Sequence, residues 1–349
     1  TVLPYKKKLQ DYLQMEARDI WEYRLNLTQP ETDQLVRHAW EMHSAHFEYK
    51  FFVENCSYRM LNFLDVARPG LNLHQYYSFY VIPMDAVETV IGAGLVNNVH
   101  YLPSDVSRWS AVADTLSEEE RQQFRDGTLP ESRMAAPGDV PKPLQPGDVG
   151  HYSARVTLAA GVREGLNVAG FSARPAYHDF LDAPSGGPLA EITVLQLDAR
   201  QIEQQPVELT DLTIFAASSI KVRDSLYSPW SWRLSSGVTG LRWLDPDTTL
   251  APHQAGEKRD QAYLAELEQS EWINPLYVRM VVGPAWGSRD FAFYQLLGAE
   301  LQVEDSFDGG SAAIALWNPG IVLRSERWQA QLDAMVRQPT DGNRDTYGQ

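Results

Sequence analysis

The stretch Ala190-Glu191-Ile192-Thr193-Val194-Leu195-Gln196-Leu197-Asp198-Ala199-Arg200 sets Ile192, Val194 and Leu197 against polar positions with a nearly regular period of two. A period of two is the side-chain repeat of a strand with one covered face, because successive Cβ atoms point to opposite sides of a sheet. Similar alternation predicts strands over 151–163, 166–177, 189–203, 207–222, 230–243, 275–287, 290–304 and 311–325. Trp230, Trp232, Trp243, Tyr277, Trp286, Phe291 and Tyr294 fall near the proposed strand ends. That placement suits an aromatic girdle at a membrane interface. The alternation is therefore read as an antiparallel β-barrel over 151–349. A water-surrounded sandwich, or a barrel with its aromatics packed internally, is the alternative.

Upstream, Pro130, Pro137, Pro141, Pro143 and Pro146 interrupt regular structure and mark 129–150 as a linker. Residues 1–128 read as a helical and strand-containing segment. Trp21, Tyr23, Leu25 and Leu27 share one side of a strand. Thr28-Gln29-Pro30-Glu31 forms a capping box that opens a helix over roughly 29–53, striped by Leu35, Ala39, Met42 and His46. A second helix starts near Asn55 and stops at Arg68-Pro69-Gly70. A third carries Val87, Val90 and Ile91 and ends at Gly92 or Gly94, and Ser117 opens a fourth on a polar surface.

The 349 residues are 44% hydrophobic and 22% charged, an ordinary composition for folded protein. A net charge of −16 excludes a general nucleic-acid binder, which needs concentrated Lys and Arg for phosphate. No run approaches eighteen apolar residues, so no transmembrane helix is expected. Cys56 is the single cysteine, which removes intrachain disulfides and cysteine-rich zinc sites. No zinc HExxH pattern, phosphate-gripping glycine loop or dinucleotide fingerprint occurs, and no cofactor is expected.

Cys56 follows Asn55 at a helix start, where unpaired N–H groups and the helix dipole favour a thiolate. A nucleophile there would attack an acyl carbon while nearby N–H groups stabilise the oxyanion. A buried structural cysteine is the competing reading. The base is left unassigned among His43, His46, His74 and His100, and Arg59 is paired with Asp65 or with an acidic substrate. His178-Asp179 reads as a turn. Arg174, Arg223 and Arg233 are expected to line a polar interior, meet acidic headgroups or pair with acids.

Arg18-Asp19-Ile20-Trp21-Glu22-Tyr23, the stretch from Phe51 to Arg59, Val66-Ala67-Arg68-Pro69, Val81-Ile82-Pro83-Met84-Asp85 and Ala93-Gly94-Leu95-Val96 together resemble the Lnb N-terminal periplasmic domain family. The resemblance covers about the first 105 residues. Arg174-Pro175-Ala176-Tyr177-His178-Asp179 and Ser228-Pro229-Trp230-Ser231-Trp232-Arg233 resemble the β-barrel extension of such proteins. That family is similar to circularly permuted NlpC-type papain-like domains. It implies an α+β segment over 1–128 resembling part of a permuted papain-like domain, followed by an outer-membrane β-barrel that is incomplete in this chain. Cys56 then matches the nucleophile. The Gly-His segment expected upstream has no match, which implies a base from a missing N-terminal portion or a separate chain. The ending Asp341–Gln349 reads as a severed loop.

The resemblance places the protein on the periplasmic face of a Gram-negative outer membrane, with the β-region embedded. Two functions follow as expectations. The first is a non-catalytic scaffold or interaction protein that contacts outer-membrane lipid or an envelope protein. The second is a cysteine-dependent amide or ester hydrolase or acyltransferase acting on peptidoglycan, lipid or protein.

Overall fold

A computed structural model describes residues 4–50, 53–77, 80–142, 153–178, 189–203, 205–243, 271–288, 290–305, 310–325 and 328–339. The chain divides into two units, Thr1–Tyr152 with the short segment Asp224–Tyr227, and most of the remainder from Ser153 onward.

The first unit is α+β. Its helices are α1 (Tyr5–Gln10), α2 (Gln29–Glu41), α3 (Cys56–Ala67), α4 (Pro83–Gly92), α5 (Asp105–Ser110) and α6 (Glu118–Arg125), joined by short 3-10 turns. Strand β1 (Ile20–Leu25) pairs antiparallel with β2 (Val96–Leu102), with Trp21 opposite Tyr101. Asp19 secures this pair by accepting from the Tyr101 hydroxyl at 2.7 Å and from the Ser104 N–H at 2.8 Å. Leu61 and Leu64 of α3 pack with Leu73, Val81, Ala86, Val90 and Leu95 in one apolar cluster. Their i, i+3 and i+4 spacing is what directs each helix face inward.

Helix α2 begins at the capping box read from the sequence: the Thr28 N–H donates to Glu31 at 2.7 Å. It ends at Glu41, well short of residue 53. None of its residues is fully buried, so no core face rewards a longer helix. Phe47 instead lies 4.5 Å from the Arg59 guanidinium. Arg68 pairs with both Glu31 oxygens and donates to the Asn26 carbonyl, fastening the end of α3 to the start of α2.

The second unit is dominated by one antiparallel sheet. Its strands are β3 (Arg155–Arg163), β4 (Leu166–Arg174), β5 (Ala176–His178), β6 (Leu189–Ile202), β7 (Glu208–Ile220), β8 (Ser231–Thr239), β11 (Leu276–Gly283), β12 (Ala285–Gly287), β13 (Phe291–Val303), β14 (Ser311–Arg324), β15 (Gln329–Asp333) and β16 (Val336–Pro339). Strands β9 (Leu241–Trp243) and β10 (Glu271–Ile273) form a separate pair. Along the main sheet the order runs β15-β14-β13-β11-β8-β7-β6-β4-β3.

The path has two ends, since β3 pairs with β4 and β15 with β14, and the described residues contain no pairing that joins them. The expected closed barrel is therefore corrected to an open sheet. The embedding of this region in an outer membrane falls with it: an open edge in hydrocarbon would leave a row of N–H and C=O groups without partners. No helix of the described residues is long and apolar enough to cross a membrane.

Alternation sets the two faces of the sheet apart. On β13, Ala292, Tyr294, Leu296, Glu300 and Gln302 are buried, whereas Leu297, Leu301 and Val303 are exposed. One end of the buried face is apolar, with Val281, Leu296, Leu316 and Val322 in a cluster. The other end is ionic. Glu300 receives Arg279 at 2.5 Å, Gln302 at 2.6 Å, and Arg337. Between them, Arg233 meets Asp333 at 2.6 Å, the Tyr294 hydroxyl at 2.9 Å and Asn318 at 3.0 Å. The Tyr294 ring lies over Gly320, where an added Cβ would fall 2.2 Å from a ring carbon. Tyr277 and Tyr294 thus belong to the buried face and not to an exposed girdle; Trp230, Trp286 and Phe291 are exposed.

Candidate functional site

The elements around α3 hold the chemistry that the sequence pointed to. Asn55 is the N-cap of α3 and is buried. Its Oδ1 accepts from the N–H groups of Ser57 at 3.1 Å and Tyr58 at 3.2 Å, and its Nδ2 donates to the Val81 carbonyl at 2.8 Å. This cap fixes where the helix starts and ties it to the segment that leads into α4. Cys56 occupies the first helical position and is exposed.

The exposed thiol answers one expectation and leaves others unmet. Ser57 and Tyr58 supply the helix-start N–H groups that an oxyanion would need, and the Asn55 side chain already takes both. No described histidine is paired with Cys56. His74 is bound to Asp65, with Nδ1 and Oδ2 2.6 Å apart, and His100 lies 3.5 Å from Glu22. His43 stacks with Trp40 at 6.1 Å. The papain-like arrangement of thiol, imidazole and oxyanion donors is therefore absent among the described residues. The papain-like catalytic arrangement that the resemblance implied is corrected on that ground.

Arg59, expected to pair with Asp65 or to meet an acidic substrate, is held by Glu54 at 2.5 Å. Asp65 accepts from the N–H groups of Leu73 at 2.7 Å and His74 at 3.2 Å as well as from the ring. One carboxylate thus closes the turn after α3 and fixes the imidazole orientation. Asn72 makes the turn possible with a left-handed backbone, φ +54°, a conformation Asn tolerates better than most residues. The Asp65–His74 spacing of nine residues has no distinctive pattern, and only the left-handed-prone Gly70-Leu71-Asn72 turn signalled that the chain folds back.

His74 lines a cavity of about 360 Å³ with His38, Phe47, Glu54, Tyr58 and Arg59 among its walls. That volume is in the range of small-molecule sites. Cys56 is not part of the lining. With Nδ1 engaged, His74 has Nε2 left for a ligand or a proton, but the cavity contains no nucleophile aligned with it. The described residues contain no group of three or more His, Cys, Asp or Glu suited to a metal ion.

Of the three arginines singled out in the β-region, Arg233 pairs with acids as above. Arg174 lies 5.7 Å from the Tyr177 ring and Arg223 lies 5.3 Å from Trp230. Asp179 of the His178-Asp179 pair, and the ending 341–349, lie outside the described residues.

Comparison with known proteins agrees with one part of the resemblance. The model of the Lnb N-terminal periplasmic domain matches residues 1–93. No curated protein and no solved structure matches the chain. A second family model covers residues 144–349, more than half of the sequence and all of the large sheet, and by it the chain belongs to the family described as Domain of unknown function (DUF7840).

Proposed function

We propose that this chain is a non-catalytic interaction protein of the bacterial envelope, working in the periplasm and contacting another envelope protein through the apolar face of its sheet. The periplasmic placement rests on the domain description matched by residues 1–93. One observation carries the interaction reading. The sheet buries charged side chains and exposes large apolar ones, with Leu297 at 61%, Leu301 at 60% and Leu332 at 74% exposure. Val278, Met280 and Val282 on β11 extend the same face. Contiguous exposed apolar area of this kind is a mark of association surfaces.

Leaving that area in water is costly, at about 25 cal/mol for each Å² that a partner would cover. The catalytic alternative has no comparable support: no described histidine pairs with the thiol, and the Asn55 cap occupies the Ser57 and Tyr58 N–H groups.

A photo-crosslinking residue at Leu301 in living cells tests the proposal. The expected result is a discrete adduct with an envelope protein, with a yield that falls when neighbouring Leu297→Lys is introduced. Cys56→Ala should leave the yield unchanged. Adducts with lipid alone, no adduct at all, or dependence on Cys56 would each overturn it.

A further inference from the structure

The cavity beside His74 is built from one face of α3 and the end of α2. Tyr58, Arg59, Asn62 and Phe63 fall at i, i+1, i+4 and i+5, so they share a side of α3. Leu61 and Leu64 point the other way, into the core of the first unit. His38, in the last turn of α2, lays its ring against Phe63 at 5.0 Å. Met42 and Phe47 extend the apolar part of the wall.

The charges around this cavity are already matched. Arg59 is held by Glu54 at 2.5 Å, Lys50 lies 3.3 Å from the same carboxylate, and His74 is bound to Asp65. A charged ligand would have to break one of these pairs, which favours an uncharged one. Other polar groups of the wall are uncommitted. The Tyr58 hydroxyl and the Asn62 side-chain amide make no hydrogen bond to any described residue. Asp65 accepts from Nδ1 of His74, which leaves Nε2 of the neutral ring as an acceptor. The hydroxyl and the amide each donate and accept, so the wall mixes both roles.

We propose that this cavity binds a single uncharged sugar ring, a hexose that is free or stands at the end of a glycan. Every sugar hydroxyl both donates and accepts, and so meets a wall of mixed polarity, whereas an anion, which only accepts, leaves His74 Nε2 unmet. The C–H face of the ring lies on Phe47, Phe63 and Met42. The volume of about 360 Å³ takes a ring of this size together with its hydroxyls. Those hydroxyls replace water on groups that have no partner within the protein, so no internal bond is given up. The proposal does not depend on the interaction reading above.

The test titrates the full chain with glucose, galactose, mannose and N-acetylglucosamine, followed by calorimetry and by the imidazole resonances of the histidines. Saturable binding of at least one sugar is expected, with shifts at His38 and His74. Tyr58→Phe and Asn62→Ala should each weaken it by roughly three- to tenfold, the effect of one lost hydrogen bond. Neither polar group bonds within the protein, so both variants should fold as the parent does. The methyl glycoside of the bound sugar separates the two sources. Tighter binding of the glycoside assigns the end of a glycan, and tighter binding of the free sugar assigns a free hexose. No saturation with any of the four sugars, shifts confined to histidines outside the cavity, parent-like affinity in both variants, or tighter binding of benzoate would each overturn the inference.

Discussion

Leu61 in the first unit is fully buried, whereas Leu297 in the second is 61% exposed and Glu300, three residues away, is completely buried. The two units solve the burial problem in opposite ways. Around α3 and α4 the apolar stripes turn inward and the charges face water, the arrangement that hydrophobic burial favours. In the sheet, one covered face combines an apolar cluster with Glu300, Arg279, Arg337, Arg233 and Asp333. Those charges are tolerable because each has an opposite partner, and Glu300 and Arg233 have further hydrogen bonds from Gln302 and to Tyr294 and Asn318. Alternation along a strand thus says that two faces differ, and does not by itself say which of them is the core.

The ionic cluster offers the sharpest way to break this contrast. Glu300→Ala removes the acid shared by two guanidinium groups and leaves both facing a covered site. The expected loss is about 4 kcal/mol of stability, in the range for orphaning a buried charge. Chemical denaturation should show it as a lower midpoint, with faster exchange of β13 amides. Replacing Glu300, Arg279 and Arg337 together by apolar residues of similar size should restore most of the loss, since no charge is then left unpaired. If the single variant is as stable as the parent, the charges of this face are solvated and the sheet is not covered there.

A matched pair of leucines sharpens the comparison next. Leu61→Ala empties a site packed by Leu64, Leu73 and Val90 and should cost about 3 kcal/mol. Leu297→Ala should change stability by less than about 0.5 kcal/mol, as surface substitutions do. Equal losses, measured by the same denaturation, would mean that the outer face of the sheet is packed within the isolated chain.

The same contrast explains what the sequence made legible. Strand positions from Ala190–Arg200 outward agree with the observed elements, because a period of two survives whichever face is covered. The start of α3 was readable from Asn55, and that of α2 from Thr28 and Glu31, since capping is local chemistry. Closure was not readable. It depends on whether β3 and β15 meet, a contact between residues about 170 positions apart that no local pattern encodes. The His74–Asp65 pair escaped for a similar reason. Asp65 offered a carboxylate to Arg59 on the same helix, but Glu54 lies closer to Arg59, and the turn at Asn72 brings His74 back to Asp65. Helix α2 ends early where it has no core face to bury, and Phe47 beyond it covers Arg59.

The smallest expected effect lies in the first unit and separates its Glu31–Arg68 ion pair from the sheet's network. Hydrogen bonding to Arg68, aided by the Thr28 N–H, lowers the Glu31 carboxyl from its ordinary 4.5 to about 2. A carboxyl depressed in the folded state stabilises that state above its unfolded pKa, and the contribution disappears as pH falls through the folded value. Glu31 should therefore contribute fully above about pH 4.5 and progressively less toward pH 2. Arg68 remains charged throughout, so the change belongs to the carboxyl alone. Stability measured from pH 6 to pH 2 should fall more steeply for the parent than for Glu31→Gln, with the two curves converging at the acid end. A constant gap between them would mean that the amide loses only packing or cap geometry. In that case the Arg68 clamp on α2 would owe nothing to charge, and the first unit would rest on its apolar core even where an ion pair ties it.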